Sequence, residues 1–189
     1  MKDDRLRGAP LAGASTGVRA TIVHHYSPFH AGRLAPGLTV RARAAGYCWT
    51  GSANAWPRRD AWRCVGPKKG ILDPCFSGAK AANRYVVCPH EAWNAGVLLL
   101  ELTHPLPREA ADPGGRSRVW SIVTTTGQHC NRVEGALPQI HGKVLRFECD
   151  RPGSFATEPD TSTPLWTAFY ARNQTSTRLI PVRIRDAWR

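Results

Sequence analysis

Several features are scarce in this 189-residue chain, and each scarcity excludes something. None of the six cysteines stands in a C-x-x-C pair, which argues against a zinc ribbon or a thioredoxin-like thiol site, whose spacings are short. No segment approaches the roughly 18 apolar residues of a membrane-spanning helix. The chain also opens without a basic-then-apolar leader. Gly51-Ser52 lacks the G-x-S-x-G elbow and no βαβ pattern could mount one, so a Ser/His/Asp nucleophile finds no support. Lysine is sparse, 5 Lys against 21 Arg, and the net charge of +12 is carried by arginine.

What is present points to strands and turns. Seventeen glycines and fifteen prolines are more than long helices tolerate. Short β-favouring runs recur at 38–42, 60–65, 84–88, 97–102, 118–125, 143–149, 165–171 and 178–185, with turn formers between them. The pattern predicts an all-β sandwich or barrel of about eight short strands. Lys143 to Cys149 alternates, with Leu145, Phe147 and Cys149 on one face. Pro181 confines the last strand to an edge or a bulge. Residues 1–20 read as a disordered arm or linker, and 21–189 as a single β domain. The connections 105–117 and 150–164 read as long surface loops.

Cys48, Cys64, Cys75, Cys88, Cys130 and Cys149 suggest an oxidising compartment. Six cysteines permit fifteen pairings. Neighbours joined in chain order would each close a short loop, worth roughly 2–4 kcal/mol. Export implies a leader that has been removed, so the expected location is secreted or cell envelope, with the cytoplasm as the alternative.

The stretch Tyr47-Cys48-Trp49-Thr50-Gly51-Ser52, followed by Asp60-Ala61-Trp62-Arg63-Cys64 and Leu72-Asp73-Pro74-Cys75-Phe76, resembles a family of uncharacterised actinobacterial exported proteins and lipoproteins. The similarity continues through Val87-Cys88, Leu102–Pro107, Cys130, Cys149, Leu165-Trp166-Thr167 and Ala187-Trp188. It implies an exported protein and no particular activity. Read physically, Trp49, Trp62 and Phe76 suit packing against disulfides, and Asp60 and Asp73 suit turn or backbone-capping roles.

Two sites compete for function. The first is basic and aromatic: Trp56, Arg58, Arg59, Arg63, Lys68 and Lys69, suited to stacking on sugars and pairing with phosphate or carboxylate. Its expected partner is an anionic polymer or glycan of the envelope rather than nucleic acid. The second is a small-molecule pocket near Trp120, Trp166 and Tyr170, with Glu101 and His104 as candidate catalytic groups. There the chain would act as a cofactor-free, pericyclase-like cyclase or isomerase on a polyketide-type substrate in natural product biosynthesis. His129 beside Cys130 cannot pair with it on a strand, because neighbours point to opposite faces. His24, His25 and His30 read as a solvated arm. No metal and no cofactor are expected.

Overall fold

The computed structural model describes residues 17–78, 84–108 and 117–189; most of the predicted arm and residues 109–116 of the first long loop lie outside that range. The described chain is all-β, with one 3₁₀ turn at Pro67–Lys69. It opens with three short strands, β1 (Ile22–His24), β2 (Phe29–His30) and β3 (Arg33–Leu34). Five strands then close a first barrel: β4 (Thr39–Gly51), β5 (Ala61–Val65), β6 (Ile71–Phe76), β7 (Tyr85–Pro89) and β8 (Gly96–Leu102). Neighbours run antiparallel from β4 to β8, and the ring closes where β8 lies parallel to β4.

Closure depends on the length of β4. Its 13 residues pair with β8 from Thr39 to Gly46, then with β5 from Tyr47 to Gly51. Irregularities in register at Val40/Ala42 and Cys48/Thr50 bend the strand, as closure of a small barrel requires. The crossover falls at Gly46, where a Cβ would run into the Val65 carbonyl oxygen and Leu100 Cδ1. Glycine is needed there for close approach, not for a special φ.

A second barrel follows, formed by six antiparallel strands: β9 (Ser121–Thr124), β10 (His129–Arg132), β12 (Lys143–Cys149), β13 (Phe155–Thr157), β14 (Thr167–Ala171) and β15 (Ile180–Trp188). The short β11 (Gln139–Ile140) pairs with β12. Pairing of β15 with β9 closes the ring, and β1 lies parallel to the final residues of β15. Pro181 is accommodated because β15 overhangs: it faces Phe169 on β14, while β9 reaches only as far as Ile184. The predicted loop 150–164 contains β13, and β6 and β10 also escaped the sequence reading. Each is short or interrupted by polar residues and proline, so no alternation marks it. Of the N-terminal histidines, His25 and His30 are exposed as read, whereas His24 is half-buried and bonds Asp186 at 2.9 Å, and Tyr26 beside them is buried.

All three disulfides lie across adjacent antiparallel strands. Cys48–Cys64 joins β4 to β5, Cys75–Cys88 joins β6 to β7, and Cys130–Cys149 joins β10 to β12. The first two enter the core of the first barrel with Trp62, Val86 and Leu100; the third enters that of the second with Ile122, Phe147 and Ile184. Lys143 to Cys149 alternates as read, burying Leu145, Phe147 and Cys149.

A third cluster fills the joint between the barrels: Tyr26, Ala61, Phe76 and Trp120, flanked by Trp93 and Trp188. Tyr26 meets Trp120 edge-on at 5.4 Å and lies 5.2 Å from Phe76. Burial pushes its phenol up to about 12. Arg58 locks this joint. Its Nη1 donates to the carbonyls of Tyr26 (2.6 Å) and Arg189 (3.3 Å), Nε and Nη2 donate to Asp60, and its guanidinium lies over Phe76 at 4.6 Å.

Two consequences can be measured by urea unfolding. Gly46→Ala should destabilise the protein by about 1–3 kcal/mol, the usual cost of overpacking. Arg58→Ala should cost about 2–4 kcal/mol by leaving the Tyr26 carbonyl without this donor and emptying the space the side chain fills in the joint, whereas Arg59→Ala, at an exposed position, should stay within about 0.5 kcal/mol.

Candidate functional site

Successive side chains of β4 point alternately into and out of the first barrel. Cys48 is buried, while Arg41, Arg43, Tyr47 and Trp49 are exposed. Trp49 therefore departs from the expectation that it packs on a disulfide: its ring is 41% exposed, whereas Trp62 and Phe76 are buried. On the neighbouring strand the Arg63 guanidinium lies 5.7 Å from the centre of the Trp49 ring. Beyond the end of β4, Trp56 is 42% exposed, with the Arg118 guanidinium 5.4 Å from its ring centre.

These two tryptophan–arginine pairs belong to one contact network, and its hub is Asp73. Ser52 Oγ donates to Asp73 Oδ1, and the Ala53 amide donates to Oδ2 at 3.1 Å. Asn54 Nδ2 donates to the Asp73 carbonyl at 2.9 Å, and Arg63 Nε lies 3.7 Å from Oδ2. From the other side, Arg118 Nη1 donates to the Ala53 carbonyl at 3.2 Å, and its amide donates to the Trp56 carbonyl at 2.7 Å. The capping role read for Asp73 is what its carboxylate performs. It fixes the loop 52–55, which leads into Trp56 and accepts from Arg118, and the carboxylate itself lies against Arg63 beside Trp49.

Burial of Asp73 raises its carboxyl above the ordinary aspartate value, against the opposing pull of Ser52, the Ala53 and Asn54 amides and Arg63. The site thus combines two exposed aromatic faces, adjacent cations and a rigid floor. Such a surface can stack on sugar or other flat apolar faces and pair with anions beside them.

The residues expected at the basic site divide in this structure. Trp56, Arg59, Lys68 and Lys69 are exposed, and Arg63 is partly so. Lys68 and Lys69 lie in the turn beyond β5, at the opposite end of that strand from Trp56. Arg58 requires correction: its side chain is 6% exposed and committed to the joint, so it is withdrawn from the surface a ligand would meet. Sequence reasoning missed Trp49, Tyr47 and Arg118 as surface partners. Period-two exposure along β4 could have revealed the first two, but Arg118 is brought in only by the joint.

The expected pocket residues are not brought together. Glu101 is 63% exposed on β8 and lies 3.8 Å from Arg43, the surface ion pair that a carboxylate among many arginines suggests. His104 is exposed and bonds Thr103. Trp120 is buried in the joint. Trp166 and Tyr170 pack on the core of the second barrel, where the Tyr170 hydroxyl donates to Ser154 Oγ at 2.7 Å and accepts from Gln128. Trp120, Trp166 and Tyr170 are therefore elements of packing, and Glu101 and His104 are surface groups. His129 and Cys130 do face opposite ways: the thiol is oxidised in the core, and the imidazole bonds Asp150 at 3.2 Å.

No helix among the described residues is long and apolar enough to cross a membrane. The chain matches no protein-family model, no curated protein and no solved structure.

Asp73 makes a pH test possible. Its folded value is raised, so between the ordinary 3.8 and that higher value the native state keeps a proton the unfolded chain has lost. Its contribution to stability therefore falls as pH rises through that window. In urea titrations the stability difference between wild type and Asp73→Asn should shrink as pH rises across it. A difference that widens would mean that the carboxylate is favoured in the fold.

Proposed function

We propose that this protein is an extracytoplasmic binding module for an anionic or glycan component of the cell envelope, and that it binds through the outer face of the first barrel. The observation that carries the reading is the pair of exposed indoles, Trp49 and Trp56, each with a guanidinium beside it. An indole face stacks on the apolar face of a sugar ring, and an adjacent arginine pairs with a carboxylate or phosphate on that ring or the next. Two such units suit a repeating polymer, because two weak contacts on one chain reinforce each other. Arg41, Arg43, Arg59, Lys68 and Lys69 are also exposed on the first barrel and its loops, and the net charge of +12 draws a polyanion towards it.

Location outside the cytoplasm accords with three disulfides and with no cysteine left free. It also accords with the resemblance of the Cys-Trp-Thr-Gly-Ser, Asp-Ala-Trp-Arg-Cys and Asp-Pro-Cys-Phe blocks to exported actinobacterial proteins. The competing cyclase reading would need Glu101, Trp120 and Trp166 around one substrate, and no observation favours it.

Sedimentation with purified Gram-positive cell wall provides the test. Wild type should co-sediment at low salt and be released as salt rises, since exposed charge pairs are screened. The Trp49→Ala/Trp56→Ala double variant should lose about tenfold or more in affinity, on the scale of one to a few kcal/mol per stacking aromatic. Both side chains are exposed, so the variant should keep its unfolding midpoint. Wild type that fails to sediment even at low salt, or a double variant that binds equally well, would sink the reading.

A further inference from the structure

The second barrel carries an open groove of about 400 Å³ on its outer surface, remote in sequence from the tryptophan–arginine face. It forms where β13 ends at Thr157 and the chain turns away, leaving a gap between β12 and β14. In that gap Thr157 Oγ1 takes the place of a ladder carbonyl, accepting from the Phe169 amide at 2.9 Å. The groove is built with charges of both signs. Lys143 and Arg146 line it from β12, and Glu158 and Asp160 line it from the segment after β13, with Val144 and Phe169 contributing apolar surface.

The cations and carboxylates of this groove do not neutralise one another. Among the described residues, no ion pair within 4.0 Å joins Lys143 or Arg146 to a carboxylate. Instead the Lys143 ammonium sits 4.5 Å from the centre of the exposed Phe169 ring. Glu158 is oriented by Arg132 Nη1, which donates to both of its oxygens at 3.0 and 2.7 Å. Asp160 accepts from the Ser162 amide at 2.9 Å. That bond, with the Ser162 hydroxyl, holds its carboxyl below the ordinary value, so it is ionised at neutral pH.

We propose that this groove is a binding site for a short peptide with both ends free, its ammonium facing Glu158 and Asp160 and its carboxylate facing Lys143 and Arg146. The apolar surface of Val144 and Phe169 takes the side chains between the two charges. A ligand of one sign would satisfy half of the groove and meet like charge in the other half, so the arrangement selects a zwitterion. A groove of about 400 Å³ has room for a few residues and not for a folded partner.

The probes are trialanine, N-acetyl-trialanine, which lacks the ammonium, and trialanine amide, which lacks the carboxylate. Binding to the whole protein is followed by NMR shifts of Val144, Ala168 and Phe169. Trialanine should bind about threefold or more tightly than either blocked form, the worth of one exposed charge contact. Asp160→Asn should weaken trialanine and leave N-acetyl-trialanine unchanged. Lys143→Ala should weaken trialanine and leave trialanine amide unchanged, a cycle that separates each charge contact from general effects. Both side chains are exposed, so neither variant threatens the fold. Equal affinity for all three probes, or no shift at roughly 10 mM peptide, a concentration at which even millimolar binding registers, would overturn the proposal. Neither result bears on wall binding by the first barrel.

Discussion

One buried guanidinium organises the molecule. Arg58 follows the loop that caps the first barrel, yet three of its partners lie elsewhere: the Tyr26 carbonyl in the N-terminal segment, the Arg189 carbonyl at the end of β15, and the Phe76 ring of β6. A planar donor with five N–H groups can meet carbonyls and a carboxylate in fixed directions, which a lysine ammonium could not do. Burying the charge is costly unless it is paired and hydrogen-bonded, and four bonds and the Asp60 carboxylate meet that cost here, so the joint tolerates little displacement. Around it pack Tyr26, Phe76 and Trp120, and the two barrels meet on that aromatic surface.

Barrel closure removes the open edges that an isolated sheet would present. The two rings achieve it differently. In the first, a single long strand serves both ends of the ring, with Gly46 at the handover; in the second, the last strand returns to the first of its set. Each disulfide ties two strands that are already neighbours, so it reinforces register and does not bring distant parts together. The disulfides and apolar side chains pack inside both rings, and the two proposed binding surfaces, the tryptophan–arginine face and the mixed-charge groove, lie outside them.

The blocks Cys-Trp-Thr-Gly-Ser and Asp-Pro-Cys-Phe show how local chemistry becomes a site. Asp73 is near in sequence to Cys75, but its carboxylate acts on residues 52 to 54, which β-strand pairing places beside it. That one capping interaction sets the loop that leads into Trp56, and the same carboxylate lies 3.7 Å from Arg63 Nε, whose guanidinium sits beside Trp49. The proposed binding face is thus built on a buried carboxylate whose ionisation burial opposes.

The amino-acid sequence by itself determined the all-β class, the disulfide-rich character, the alternation of β12 and the basic charge, because each follows from residue type and period-two spacing. It also marked Trp56, Arg59, Lys68 and Lys69 as surface groups and Asp73 as a cap. Only tertiary structure decided that there are two barrels, since ring closure joins Thr39 to Gly96 and Trp188 to Ser121 across long separations. Strands such as β10 and β13 are held by their neighbours and carry no pattern of their own. Tertiary structure also turned Arg58 inward, Trp49 outward and Glu101 to the surface beside Arg43, because the direction of a side chain depends on which face the folded neighbours cover.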